Sequence, residues 1–465
     1  MAILNVGPHS TYPTIAAAMV AAHPGDEISL EPGYRNEHAV VTENNLSMTG
    51  TASSVGIDLQ LGSGVNVLTL LGDAPIHVHD NSGNNTITGN AGANTIFVSS
   101  GVDVVHGGLG NDRLIVNYAG DTSDIIGTSV HVTDGGTHSV TFDGIENFTI
   151  TTGSGNDTIT TGNGYNIISI GAGDDTITSG NGHNSITAGL GNDTITAGDG
   201  GNTIAGDAGN DTMTSGNGND LLYGGAGNDT MTGGGGNDRL DGSTGNDTIS
   251  GGAGNDILIG GTGNNIMRGG TGIDTADYSA STMAVNVHLA SVVIQAVNTI
   301  ESDTLSSIEN VTGSRFNDTL TGTTGNNVLT GGLGADHMNG AGGADRFHYA
   351  SARDSTSTKY DVITGFNTSD DKFDLWFKVT AIDHAVTAGH LSTATFDTDL
   401  TSVLNANHLG PHAAVLFTAN SGTLAGDTFM VVDANGVAGY QAGHDLVIEL
   451  AGATHLSGLS TTDFV

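Results

Sequence analysis

The chain has 465 residues, with 74 Gly, 49 acids against ten Lys plus Arg, no Cys, and a formal charge of −39 at pH 7. That excess of negative charge excludes direct nucleic-acid binding and insertion into or adsorption on an anionic membrane, while the lack of Cys excludes disulfide scaffolds, zinc ribbons and thiol nucleophiles. The acids are 41 Asp and only eight Glu, and Asp is a turn and metal-ligand residue rather than a helix former.

At the N-terminus the apolar run Ile15 to Ala22 is short, follows no cationic stretch and is flanked by Pro and His, so no N-terminal signal peptide is expected. Nowhere do 18 consecutive apolar residues occur, so no membrane-spanning helix is expected. The stretch TYPTIAAAMVAAHPGDEISLEPGYRNE predicts a short amphipathic helix, a Pro-Gly-Asp turn, an alternating strand and a second turn. It resembles the opening of right-handed β-helix proteins of the pectate-lyase-like kind, which implies a helix plugging the first coil. Residues 1–60 are read as this cap and the first β-helix-like coils.

Degenerate coils follow over 61–116. Asn85, Asn94, Asp103 and Asp112 are nine residues apart, each with an apolar residue two positions later (Ile87, Ile96, Val105, Leu114). His77 and His79 alternate on a strand beside Asp80, a pattern found more often on surfaces than at metals. Residues 117–152 interrupt the period. Asp112 and Asp157 are 45 residues apart, five whole repeats, which is compatible with degenerate coils that keep solenoid phase.

Over 153–278 the period of nine holds for 14 copies, from GSGNDTITT to GTGIDTADY. The seventh position of each copy is apolar, from Ile159 and Ile168 through Met267 to Ala276. One inward apolar residue between outward polar ones describes a very short β-strand, and the Gly-x-Gly-x-Asp before it a turn. The fifth position reads Asp157, Asn166, Asp175, Asn184, Asp193, Asn202 and Asp211, then Asp220, Asp229, Asp238, Asp247, Asp256 and, two copies on, Asp274. This alternation sets the structural period at 18, two copies per coil, with one row of Asp on one side and Asn giving way to Asp on the other. Rungs about 4.8 Å apart stack like-charged carboxylates, and Asp oxygens with Gly-loop carbonyls make an all-oxygen site suited to Ca²⁺. Asn-bearing loops, each lacking a charge, are expected to bind more weakly.

The segments GGAGNDTMT (224–232), GGGGNDRLD (233–241) and GGAGNDILI (251–259) carry the GGxGxDxUx pattern in full. That pattern resembles the RTX, or haemolysin-type calcium-binding, family. The resemblance implies a parallel β-roll with Ca²⁺ between loops of successive turns, and export by a type I secretion apparatus. In these copies Gly225, Gly227, Gly234, Gly236, Gly252 and Gly254 are the loop positions expected to offer carbonyls. Copies before residue 206 replace the first Gly by Thr152, Thr161, Ile170, Ser179, Ala188 or Ala197, a departure that bears on their loops.

A second interruption, 279–312, ends in SIENVTG as the first ends in GIENFTI. Asp274 to Asp318 is 44 residues, so a bulge or cap-like break is expected there. A second block, 313–349, places Asp318, Asn327, Asp336 and Asp345 nine apart. From 350 to 465 Gly thins and aromatics gather, and ADRFHYASARDSTSTKYDVITGFNTSDDKFDL resembles the segment following the roll in serralysin-type proteins. This region is read as a C-terminal cap with the type I secretion region.

The expected fold is all-β: a parallel β-roll or β-helix solenoid with an N-terminal helix cap and a C-terminal β cap domain. HExxH, GxSxG and P-loop motifs are absent and no enzyme activity is expected. The expected function is that of a secreted, Ca²⁺-folded structural protein of the cell surface or matrix, of surface-layer, adhesion or biofilm type. Candidate partners are a surface glycan bridged by Ca²⁺ and further copies of the chain, in an oligomer or lattice. A polysaccharide lyase or epimerase of β-helix type, and an ice-binding solenoid using its Thr-x-Thr face, are the alternatives.

Overall fold

A computed structural model describes the chain except for residues 292–294, 297 and 299–301. The chain is all-β, about 5% helical, and divides into two compact units, Met1–Gly234 and Gly235–Val465.

In the first unit the short helix Ile15–Met19 is capped by Thr14, whose Oγ1 accepts the Ala17 N–H at 3.1 Å. Glu37 accepts the N–H groups of Ile15 and Ala16 at 2.9 and 3.0 Å, tying the helix to the strand Arg35–Val41. Ile15, Ala18 and Met19 are buried, so the helix covers apolar surface as the cap reading requires. Two columns of parallel strands then rise from it. One runs through Leu46–Gly50, Val67–Gly72, Thr86–Thr88 and Gly101–His106; the other runs through Arg35–Val41, Val55–Leu61, Ile76–His79, Thr95–Val98 and Arg113–Asn117.

In the repeat block many strands shrink to three residues, such as Thr176–Thr178, others run to six, such as Ser185–Leu190, and they pair in parallel at a shift of 18. Thr158, Thr176, Thr194, Thr212 and Thr230 form one row in register and Ile167, Ser185, Thr203 and Leu221 another. Ile159, Ile177, Ile195 and Met213 from one column and Ile168, Ile186, Ile204 and Leu222 from the other are fully buried. Each contributes about 1.5–3 kcal/mol, which is how so narrow a core holds. Thr152, Thr161, Ile170, Ser179, Ala188 and Ala197, standing where the pattern has its first Gly, are also buried and fill the core beside these residues.

The first interruption is not a set of degenerate coils in phase. His131–Thr133 runs antiparallel to both Ile126–Thr128 and His138–Asp143. The reversal is built by the Asp134-Gly135-Gly136-Thr137 turn, where Asp134 accepts the N–H groups of Gly136 and His138 at 2.7 and 3.0 Å.

The second unit contains parallel strands of the same kind, such as Arg239–Thr244 with Ile257–Ile259 and Thr248–Ala253 with Ile266–Thr271. Ile266–Thr271 next pairs with Ser302–Ser306, and Thr275–Asp277 with Asn310–Thr312. Part of the break expected over 279–312 lies outside the described residues. An eight-stranded sheet continues from Asn286–His288 through Thr319–Thr321, His337–Asn339 and Asp361–Thr364 to Leu446–Ala451, then turns antiparallel with Thr428–Val432 and Ala413–Thr418. The helix Phe396–Val403 packs on it through Phe396 and Leu400, in a core with Phe417, Phe429 and Val447. The inward aliphatic column ends in aromatics: Phe347 pairs with Phe373, and the Phe366 and Phe373 rings stack at 4.3 Å.

Candidate metal centres

All six predicted loop glycines have positive φ, from 103° at Gly234 to 142° at Gly227. All fourteen predicted aspartates, Asp112, Asp157, Asp175, Asp193, Asp211, Asp220, Asp229, Asp238, Asp247, Asp256, Asp274, Asp318, Asp336 and Asp345, have buried side chains. Within each unit the fold sets successive repeat positions in rows, most of them repeating one relation to the next.

Within a row, one carboxylate oxygen accepts the backbone N–H of the equivalent residue one coil earlier. Asp175 Oδ1 takes the Asp157 N–H at 2.7 Å, Asp193 that of Asp175 at 2.8 Å, and Asp211 that of Asp193 at 2.8 Å. In the second unit Asp256 takes the Asp238 N–H at 2.8 Å, Asp274 that of Asp256 at 2.9 Å, and Asp336 that of Asp318 at 2.8 Å. The second oxygen is the chemically telling one. Oδ2 of Asp103, Asp112, Asp175, Asp193, Asp211, Asp256, Asp274 and Asp336 is buried and has no hydrogen-bond partner. In the copies that keep the first Gly of the pattern it lies where that Gly leaves room: a Cβ on Gly206 or Gly251 would sit 2.2 Å from Oδ2 of Asp211 or Asp256.

Burial pushes these carboxyls up. Asp175 rises from 3.8 to about 7, through burial and, beyond the opposing Asp157 N–H, the charges of Asp157, Asp193 and Asp174. Asp211 and Asp274 rise to about 6, and Asp336 and Asp345 to about 7, burial again leading. Keeping such groups ionised without a cation therefore opposes the fold, and each further ionised neighbour in a row adds repulsion. A row of buried, acceptor-only oxygens fits a hard divalent cation such as Ca²⁺.

Several participants escaped the nine-residue count. Asp361 and Asp371 accept the N–H groups of Asp336 and Asp345 at 2.8 and 3.0 Å, continuing both rows past the last Gly-rich copy. Asp303 does the same for Asn265 at 2.8 Å. All three keep one signal of the repeat, an apolar residue two positions on (Ile363, Phe373, Leu305). The two IEN motifs have a shared role: Glu146 accepts the Asp112 N–H at 2.8 Å and Glu309 the Asp274 N–H at 2.9 Å. Each Glu stands in for the next Asp where an insertion has displaced it.

His77, His79 and Asp80 do not converge. His79 meets Asp58 at 3.0 Å and stacks on Phe97, whereas Asp80 is held by the N–H and hydroxyl of Ser99 at 3.0 and 3.1 Å. Asp121, Asp134 and His138 do meet, the imidazole Nδ1 lying 3.2 and 3.3 Å from the two carboxylates. Both acids also close local turns, at Ser123 and at Gly136.

Residues 79–114, 149–168, 169–204, 178–213, 205–240, 214–249, 241–276 and 312–347 match the family model described as the RTX calcium-binding nonapeptide repeat (4 copies). No curated protein matches the chain.

Proposed function

The chain carries RTX calcium-binding nonapeptide repeats, and from that premise we propose that it is a secreted structural protein of the cell surface or extracellular matrix that folds on meeting external Ca²⁺. Proteins with these repeats are typically secreted, and the family is generally structural rather than catalytic. The observation that carries the reading is the row of buried Asp Oδ2 atoms with no donor. On this reading the fourteen aspartates hold the ions through their carboxylates, and Gly225, Gly227, Gly234, Gly236, Gly252 and Gly254 complete the loops with carbonyls. Asp103, Asp361 and Asp371 join the set because they occupy the same rungs.

Where Ca²⁺ is scarce self-repulsion keeps most of the acidic, Gly-rich chain from reaching its full fold, a loose state that a secretion channel can pass. Where Ca²⁺ is plentiful, binding free energy becomes folding free energy. Surface glycan bridged by Ca²⁺ and further copies of the chain are the partners such a protein would meet. Far-UV circular dichroism during Ca²⁺ addition to EDTA-treated protein tests the switch. A coil-to-β transition is expected; full β signal in EDTA, unchanged by Ca²⁺, would overturn it. Electron microscopy with and without Ca²⁺ tests assembly, and monodisperse particles in both would remove the lattice.

A further inference from the structure

The two edges of the repeat block in the first unit satisfy their buried polar groups by different means. On the edge of Asp175, Asp193 and Asp211 each Oδ2 lacks a partner. On the opposite edge, at the equivalent rung position, stand Asn166, Asn184 and Asn202, all buried. Their side-chain amides form a continuous ladder: Asn166 Nδ2 donates to Asn184 Oδ1 at 2.8 Å, and Asn184 Nδ2 to Asn202 Oδ1 at 2.9 Å. The ladder hands over to the first carboxylate of that edge, Asn202 Nδ2 donating to Asp220 Oδ1 at 3.1 Å.

The same nitrogens also reach the loop carbonyls. Asn166 Nδ2 donates to Gly162 O at 3.1 Å, and Asn184 Nδ2 to Gly180 O and Gly182 O at 3.0 and 3.2 Å. Asn202 Nδ2 donates to Gly198 O and Gly200 O at 3.0 and 2.9 Å. A backbone carbonyl and a neighbouring side-chain oxygen are what a hard cation would collect at this place. Here a neutral NH₂ donor collects them instead, bringing no like-charge repulsion along the row.

We propose that Asn166, Asn184 and Asn202 replace calcium rather than bind it weakly, so that one edge of the coils over residues 162–208 is held without metal while the facing edge is loaded. This rests on the calcium reading above, and it sharpens the expectation of weak sites into one of no sites. Its consequence is a partly ordered scaffold in the metal-free chain on which the Asp edge closes when calcium arrives.

Hydrogen–deuterium exchange on the full chain, in Ca²⁺ and in EDTA, reads both edges at once. Amides within Thr176–Thr178 and Thr194–Thr196 are expected to exchange at least about tenfold faster in EDTA, and those within Ser185–Leu190 to change less than about threefold. N184D is expected to give Ser185–Leu190 the response of the Asp edge: about tenfold faster exchange in EDTA, restored by Ca²⁺. Equal loss of protection on both edges of the wild-type chain in EDTA overturns the inference while leaving the calcium reading intact, as does N184D exchanging like wild type. If neither edge responds to Ca²⁺, the calcium reading itself falls.

Discussion

Gly227 has φ of 142°, and a Cβ there would sit 1.7 Å from the Gly209 carbonyl oxygen one coil away. Gly227→Ala therefore meets both a left-handed backbone and a collision between rungs, at a cost of about 1–3 kcal/mol or more. Its melting temperature in saturating Ca²⁺ is expected to fall by several degrees in a calorimetric scan, whereas Gly162→Ala, with nothing within 4 Å of the new carbon, should melt as the wild type. At this scale the sequence was nearly transparent. A short period repeats the same requirement many times, so every predicted Asp is buried and every predicted loop Gly takes positive φ. Asp361 and Asp371 stayed hidden because they follow Asp336 and Asp345 by 25 and 26 residues. Their Asp-x-apolar step had survived after the glycines that made it conspicuous were gone.

At the scale of elements, the IEN motifs act as splices. Glu146 lets the row step from Asp112 across an insertion, its longer side chain reaching a backbone N–H that the next Asp no longer meets. Glu146→Ala leaves that N–H without its acceptor and is expected to destabilise by about 1–3 kcal/mol; Glu146→Gln, which keeps an acceptor, should recover most of the loss in urea unfolding at fixed Ca²⁺. The insertion itself was only half legible. Counting 45 residues suggested whole coils, but a count is blind to strand direction. The local signal was Asp134-Gly135-Gly136, whose turn reverses the chain and makes His131–Thr133 antiparallel. The N-terminal helix was readable because Thr14 and the small apolar run are local, whereas Glu37, which completes its cap, lies 22 residues from Ile15.

For the molecule as a whole, proton and calcium ion compete for the same oxygens. A carboxyl whose folded value is raised, as burial raises Asp175 and Asp336 from 3.8 to about 7, favours the fold while protonated and opposes it once ionised. The metal-free protein should therefore be most stable near pH 4 and lose stability as pH rises towards about 7, flattening above it. In saturating Ca²⁺ the order reverses, because the ionised form is the ligand. Thermal melts at pH 5 and pH 8, each in EDTA and in Ca²⁺, check both signs; a metal-free protein more stable at pH 8 would contradict the burial argument. The rows also have a direction. Each Asp accepts from the coil before it, never from the coil after, in Asp157 to Asp211 and in Asp318 to Asp361 alike. A rung joining the N-terminal end of a row finds its acceptor already waiting, while one joining the C-terminal end must bring an acceptor for its neighbour and leaves its own N–H bare. A row is thus polar, like a filament with unlike ends, and in the rows of Asp336 and Asp345 the last acceptors on the C-terminal side are Asp361 and Asp371.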